Sequence, residues 1–418
     1  MTRPEMNVKP LSALFITYDG LLDPLGGSQI LPYLRSIARH PRPLHIVSFE
    51  KRDRFATGAE QLRVQLAQTG IGWTPLSFTT RFGKLGKVWD LSCMYAACLR
   101  LQWQHKFGVI HCRSYQAMQV GALLNFLTGV STLFDMRGLW VNERVDGGLW
   151  VQDRWQNRVA YRCYKRIEKR LLASASHVIA LTARVVPELH LISPEMTAPV
   201  TVIPCCADFD HFLVPTDAAR RAMRSKLGIA SGALVLSYLG SLGTWYMLDE
   251  MLRLFATAAR QRDDVQLLFV TRDWRDEHET LLNSMGLQAL RHRIHVQPAS
   301  RDQVPLLLGT SDIMLSFIKP AYSKMASSPT KLAEALALGI PVISNAGVGD
   351  VDQITRDLDA GAVIDLNDAR AIYKLVSELD TIRGKGGPGL RTRARERFGL
   401  EVAEASYLQV YAELERAS

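Results

Sequence analysis

Ser327-Ser328-Pro329-Thr330-Lys331-Leu332-Ala333-Glu334-Ala335-Leu336-Ala337-Leu338-Gly339-Ile340-Pro341-Val342-Ile343-Ser344-Asn345 reads as a short helix feeding a buried strand. Ser328 fits the N-cap, and Pro329 fits the first helical position, where a missing N–H loses no intrahelical partner. Gly339 stops the helix after about three turns, and Pro341-Val342-Ile343-Ser344 opens a strand. Such a helix start presents free backbone N–H groups and the positive end of the helix dipole, which suits a phosphate. Thr330 and Lys331 add a hydroxyl and a cation there. Glu334 lies one turn on, within reach of a ligand seated on that end. Taken alone, the same residues serve equally well as an ordinary capped helix–strand unit.

Working upstream, Leu234–Leu239 is a strand ending in Gly240-Ser241-Leu242-Gly243-Thr244-Trp245-Tyr246, and Met247–Ala259 is the helix after it. Ser241, Gly243 and Thr244 suit a phosphate through backbone N–H groups and hydroxyls, with Lys331 or Arg272 supplying charge. Lys324, in the loop before the opening helix, is a further candidate for a diphosphate. Val265–Thr271, Ile294–Gln297, Ile313–Phe317, Val342–Ser344 and Ala362–Asp365 are expected as strands, and Leu390–Leu414 as helices.

The first half alternates in the same way. Ala13–Thr17 is an apolar run of the kind found in buried parallel strands. A turn-rich loop, Tyr18 to Gln29, carries the pair Gly26-Gly27 and leads into a helix over Ile30–Ala38. Strand, glycine loop, helix brings backbone close to a phosphate or sugar, although no G-x-G-x-x-G is present. Further strands are expected at His45–Phe49, Ile71–Phe78, Thr132–Asp135, His177–Thr182 and Val200–Pro204, with a long helix over Val88–His105. The run Val109-Ile110-His111-Cys112-Arg113-Ser114 gives another strand end, where His111 is expected to terminate a parallel strand on the edge at which open α/β sheets bind ligands. The loop from Met136 to Trp150 offers Arg137, Glu143 and Arg144 beside Trp140 and Trp150. It reads as a seat for a sugar or lipid headgroup or as an irregular loop with buried Trp, and both readings stay open. Asn157–Ala173 is amphipathic, with Ala160, Cys163, Tyr164, Ile167 and Leu171 as the apolar stripe and six Lys or Arg on the rest. Those cations serve either as a solvated face or as a membrane-surface face.

Composition narrows the classes. At 418 residues with 47% hydrophobic and 22% charged, the chain suits a globular protein of two or three domains. No apolar run reaches membrane-spanning length, and Pro4, Glu5 and Lys9 break up any signal-peptide core, so a cytoplasmic protein is expected. The six cysteines lack C-x-x-C spacing, which points to reduced thiols and no zinc. Residues 1–205 hold 25 Lys and Arg against 14 Asp and Glu, a net +11 that points to an anionic partner. No nucleic-acid recognition motif accompanies that charge, so nucleic acid is not expected.

The opening stretch resembles the donor-site segment of glycosyltransferase family 4, whose members are retaining enzymes of GT-B fold. The family carries two glutamates eight positions apart, then a small-residue helix and Gly-x-Pro-Val. Glu334 matches the second glutamate, a ribose contact in the family, while the first falls at Ala326. Ser327 or Ser328 stands as the substitute for that lost sugar contact. Asp23-Pro24-Leu25-Gly26-Gly27-Ser28-Gln29 is similar to the family's loop beside donor and acceptor, and His111 matches its "Val-Ile-His" position. The Arg and Lys that most members carry after the Leu234–Leu239 strand are absent here.

The resemblance, running from about Leu11 to the C-terminus, implies an α/β GT-B fold. Two Rossmann-like domains would face a central cleft, with the last helix crossing back to the first domain. Residues 1–210 would bind acceptor and 211–395 donor, with a linker at Asp208–Asp217 and the crossing helix in 396–418. It implies a metal-independent hexosyltransferase that moves sugar from a nucleotide sugar to a glycan or lipid-linked acceptor in cell-surface polysaccharide synthesis. No cofactor is implied, and an anionic membrane surface at the inner face of the cell membrane is a partner. His111, Lys331 and Glu334 are then the catalytic candidates. Gly26, Gly27, Ser241, Gly243, Thr244, Arg272, Lys324, Ser328 and Thr330 are candidates for the donor, and Arg137, Glu143 and Arg144 for the acceptor. A non-catalytic sugar or lipid binder and a nucleotide-sugar epimerase remain as alternatives.

Overall fold

A computed structural model describes residues 12–40, 42–79 and 83–417. The N-terminal reading at Pro4, Glu5 and Lys9 lies outside the described residues. The chain forms two compact units. Unit 1 takes the chain through Val145, Trp150–Ile203 and the residues from Ala403 on, and unit 2 takes Asp146–Leu149 and Pro204–Val402.

Unit 1 holds a seven-stranded sheet of β1 (Ala13–Thr17), β2 (Leu44–Glu50), β3 (Ile71–Ser77), β4 (Val109–Arg113), β5 (Ser131–Asp135), β6 (His177–Ala180) and β7 (Val200–Val202). Its order is β3-β2-β1-β4-β5-β6-β7, and every pairing is parallel. Parallel strands are covered on both faces, which is why β1 and β4 are buried at every position. Strand order reverses between β1 and β4, which makes the carboxyl ends of those two strands the crevice of this unit.

The helix Ser114–Thr128 packs against both Gly83–His105 and Trp155–Ser174. On that layer Leu85, Val88, Trp89, Trp103, Phe126 and Trp155 are exposed. The Trp155–Ser174 helix differs from its expected stripe. Cys163 is exposed, and Glu168 is wholly buried, accepting from the Tyr115 hydroxyl at 2.5 Å and pairing with Lys165. Arg158, Arg162, Arg166 and Arg170 form an exposed ridge at four-residue spacing.

The last helix, Leu400–Ala417, buries Tyr407, Val410, Tyr411 and Leu414. Ion pairs Arg42–Glu415 and His40–Glu404 flank that apolar face, both inside unit 1.

Unit 2 repeats the scheme with β8 (Leu234–Leu239), β9 (Val265–Val270), β10 (Ile294–Gln297), β11 (Ile313–Ser316), β12 (Val342–Asn345) and β13 (Gly361–Ile364). The order is β10-β9-β8-β11-β12-β13, again all parallel, so the reversal lies between β8 and β11. The opening stretch forms the helix Thr330–Ala337 and then β12. Gly339 ends the helix with φ +70°, while Ile340 N–H donates to the Ala335 carbonyl at 3.0 Å. A Cβ on Gly339 would fall 2.6 Å from the Gly387 carbonyl oxygen, so conformation and space both demand glycine there.

Candidate functional site

In unit 2 the carboxyl end of β8 meets the start of the Thr330–Ala337 helix. Lys331 is the second residue of that helix and is buried. Its Nζ donates to the Tyr238 hydroxyl at 2.8 Å and lies 3.8 Å from the Tyr246 ring centroid and 4.0 Å from that of Tyr238. Gly240, just past β8, turns at φ +117°, and a Cβ there would stand 3.3 Å from Lys331 Nζ. Glycine therefore lets the chain pass directly over the ammonium. Burial pulls the Lys331 pKa well below the usual lysine range, with Glu334 opposing the shift.

Lys324 is also buried, with Nζ 3.8 Å from the Trp245 centroid. The β8 loop carries no cation of its own but gives aromatic faces to two lysines from elsewhere in the unit. Sequence reading found both lysines and missed the aromatics that hold them. Their signal was the Trp245-Tyr246 pair directly after a glycine loop.

Glu334 is buried and paired with Arg301, whose guanidinium lies 5.0 Å over the Phe212 ring. Burial pushes the Glu334 carboxyl pKa up, and Arg301 opposes that shift. Ser241, Gly243 and Thr244 are exposed on the β8 loop, and a Cβ at Gly243 would meet nothing within 4 Å. In that loop the Leu242 N–H is already taken by the Asp273 carboxylate at 3.3 Å. Arg272 is exposed at the end of β9, with its Nε donating to the Ala299 carbonyl at 2.9 Å. Thr330 is half-buried at the first helical position.

Ser328 is corrected. The N-cap is Pro329, which has no side-chain acceptor, and the Ser328 hydroxyl oxygen instead accepts from Cys205 N–H at 3.0 Å. The helix start is left without a side-chain cap.

In unit 1, Gly26 and Gly27 are not in a loop but inside the helix Pro24–Gln29. A Cβ on Gly26 would lie 2.3 Å from the Gly20 carbonyl oxygen, so this glycine serves the close fit of helix on turn, whereas Gly27 faces open space. Glu50 fixes the same turn by accepting from Leu21 N–H at 2.8 Å and Leu22 N–H at 3.2 Å.

The placement of His111 at a strand end is also corrected, because β4 runs on to Arg113. The His111 ring is buried, with Nδ1 2.8 Å from the Tyr411 hydroxyl and Nε2 3.7 Å from Asp135. Burial lowers its pKa, so the ring is held neutral within the core beneath the last helix.

The residue that does end the strand is Arg113, which sequence reading passed over. Its signal was its place directly before Ser114 at the end of the apolar run, and in the structure Ser114 is left-handed at φ +71°. Arg137, also left-handed at φ +60°, joins the same edge, 3.6 Å from Asp135 and donating to Gln29 at 3.3 Å. Arg144 lies 4.7 Å over Trp140, which packs with Trp150 and Tyr164 at centroid distances of 5.4–5.8 Å. Trp140 and Trp150 thus sit in an aromatic cluster. Glu143 is half-buried in the same helix, Trp140–Asp146.

Comparison with known proteins matches both halves of the chain. Residues 33–206 match the model described as "Glycosyl transferase 4-like domain", and residues 219–385 match "Glycosyl transferases group 1". A D-inositol 3-phosphate glycosyltransferase of Geodermatophilus obscurus is 27% identical over 305 residues, which cover 67% of this chain and 61% of that protein. Among solved structures, sucrose-phosphate synthase from Thermosynechococcus elongatus is similar with a TM-score of 0.70 at 15% identity, covering 98% of this chain and all of that one. The Anabaena protein HepE in complex with UDP-glucose gives 0.67 at 16%, covering 96% and 100%. With both halves matched by glycosyltransferase models and both sheets built on one parallel scheme, the chain belongs to the glycosyltransferases of GT-B fold.

Proposed function

We propose that the chain transfers a sugar, with retention, from a nucleotide sugar to a glycan or lipid-linked acceptor in cell-surface polysaccharide synthesis. The observation that carries this reading is the pair of buried lysines, Lys331 and Lys324, set on aromatic faces beside an uncapped helix start at the β8/β11 reversal. A buried lysine hydrogen-bonded to a phenol and facing rings gains its charge most readily beside an anion, and a diphosphate supplies one. Glu334 is positioned to accept from a ribose hydroxyl once Arg301 gives way. The UDP-glucose bound by the Anabaena structure supports the class of donor. The curated relative, an inositol phosphate glycosyltransferase, supports transfer to a hydroxyl acceptor.

In this mechanism Lys331, Lys324 and the helix start stabilise negative charge as it grows on the leaving diphosphate. The leaving phosphate takes the proton of the attacking acceptor hydroxyl on the same face. Since fixed protein charges do this work, activity is expected to survive EDTA. Turnover abolished by chelation and restored by magnesium or manganese would contradict the mechanism.

A non-catalytic donor binder is the second reading. Ala326, at the position of the family's first glutamate, is buried and offers no sugar contact. Slow hydrolysis of a nucleotide sugar by the protein alone separates enzyme from binder.

The basic unit 1 is proposed to meet an anionic membrane surface. The exposed ridge of Arg158, Arg162, Arg166 and Arg170 and the exposed Trp89, Trp103 and Trp155 of the same helical layer support it. Among the described residues no helix is long and apolar enough to cross a membrane. Each cation near such a surface contributes about 1 kcal/mol, screened within a Debye length. Sedimentation with anionic liposomes at low salt, and release at high salt, is expected. Protein that stays in the supernatant at low salt would contradict membrane contact.

A further inference from the structure

We propose that the β1/β4 reversal in unit 1 is a seat for an anionic group, a phosphate or a carboxylate carried by the acceptor, with Arg113 as its principal ligand. Only the word acceptor rests on the transferase reading; the anion seat itself rests on unit 1 alone. Arg113 is the last residue of β4 and the N-cap of the Ser114–Thr128 helix, whose start has no side-chain cap. Its residue exposure is 4%, and among the described residues its Nε has no hydrogen-bond partner. The two carboxylates beside it stand outside hydrogen-bond reach, Asp19 at 3.7 Å and Asp135 at 3.6 Å.

A guanidinium is a fork of fixed donors, and leaving its buried Nε–H unbonded costs free energy that a ligand oxygen recovers. The uncapped helix start adds N–H groups and a positive dipole end at the same place. The Asp135 carboxylate is buried and shared with Arg137 and the Tyr407 hydroxyl, so it cannot serve Arg113 alone. Asp19 is different, because its side chain is 43% exposed and ends β1's short turn. When Asp19 swings to water, Arg113 and Arg137 face one fixed carboxylate, and the edge carries a surplus positive charge. An incoming anion therefore replaces Asp19 at Arg113. The left-handed backbone of Ser114 and Arg137 holds both residues at this edge, which is where strain is expected to be kept for binding.

The test uses the full chain carrying Lys331→Ala and Lys324→Ala, which removes both lysines of the phosphate seat proposed in unit 2. Calorimetry is run with inorganic phosphate, with glucuronate, and with glucose as the neutral control. At least one anion is expected to bind, with affinity that falls as salt rises, while glucose does not. Adding Asp19→Asn is expected to raise anion affinity about threefold or more by removing the competing carboxylate, and Arg113→Gln to lower it about tenfold or more. Uptake of phosphate alone assigns a phosphorylated acceptor, and uptake of glucuronate alone a uronic-acid acceptor. Failure of both anions to bind overturns the proposal. So does anion affinity that is unchanged or weaker in Asp19→Asn, a variant that keeps Arg113 in place if Arg113→Gln does not fold. UDP binding is measured in parallel on Asp19→Asn with Lys331 and Lys324 intact, so loss of the donor reading is seen separately from loss of this one.

Discussion

Replacing Lys331 with Met is expected to weaken nucleotide-sugar binding by about 10- to 100-fold while leaving the thermal midpoint unchanged or raised. Charge-assisted hydrogen bonds to phosphate contribute about 1.5–3 kcal/mol each, and about 1.4 kcal/mol is a factor of ten. The stability half of the expectation follows from burial. Among the described residues Lys331 has no hydrogen bond to a carboxylate; its Nζ meets the Tyr238 hydroxyl and two rings. An apolar side chain of similar length keeps that packing without a buried charge.

The pH dependence follows from the same burial. The Lys331 pKa is lowered in the free folded protein, so folding stability falls as pH drops through that lowered value. A bound diphosphate raises the pKa back. Between the free and bound values, donor binding takes up a proton, and affinity rises as pH falls. Calorimetry in buffers of different ionisation enthalpy reads that proton directly. Unchanged donor affinity in Lys331→Met, with the fold intact, would remove the lysine from the site.

Glu334→Ala is expected to cost about 1.5–3 kcal/mol of donor affinity through the lost ribose contact. A helix-surface glutamate would leave stability untouched, but Glu334 is buried and paired with Arg301. Removing it strands a guanidinium that is one-third exposed, so a loss of stability of about 1 kcal/mol is expected as well. Glu334→Gln keeps the side-chain volume and an acceptor oxygen, and should recover much of the stability but not all of the affinity. Chemical unfolding and calorimetry on the two variants separate the effects. Full donor affinity in a folded Glu334→Ala protein would place the ribose elsewhere.

The fold was readable because parallel strands buried on both faces are continuous apolar runs. Ala13–Thr17, Leu234–Leu239 and Ile294–Gln297 have the bounds their residues predicted. The site was less readable, because what decides it is contact between residues far apart in sequence. Nothing near His111 announces that Tyr411, 300 residues on, will cover its ring. Gly26 looks like a loop glycine until the Gly20 carbonyl takes the space beside it. Ser328 has every feature of an N-cap, yet the Cys205 N–H claims its hydroxyl oxygen. Lys331 was legible as a cation at a helix start, but not as one caged by Tyr238 and Tyr246, because the cage comes from a strand and the loop after it, about 90 residues earlier.

The central claim, that this chain binds a nucleotide sugar and breaks its bond to the leaving diphosphate, is tested by one measurement. The purified protein is incubated with a panel of nucleotide sugars covering several bases and hexoses, and free nucleotide diphosphate is quantified over time. Slow release of diphosphate from one donor, lost in Lys331→Met, is the predicted result. No release from any donor, with no difference between the wild type and Lys331→Met, would contradict the account.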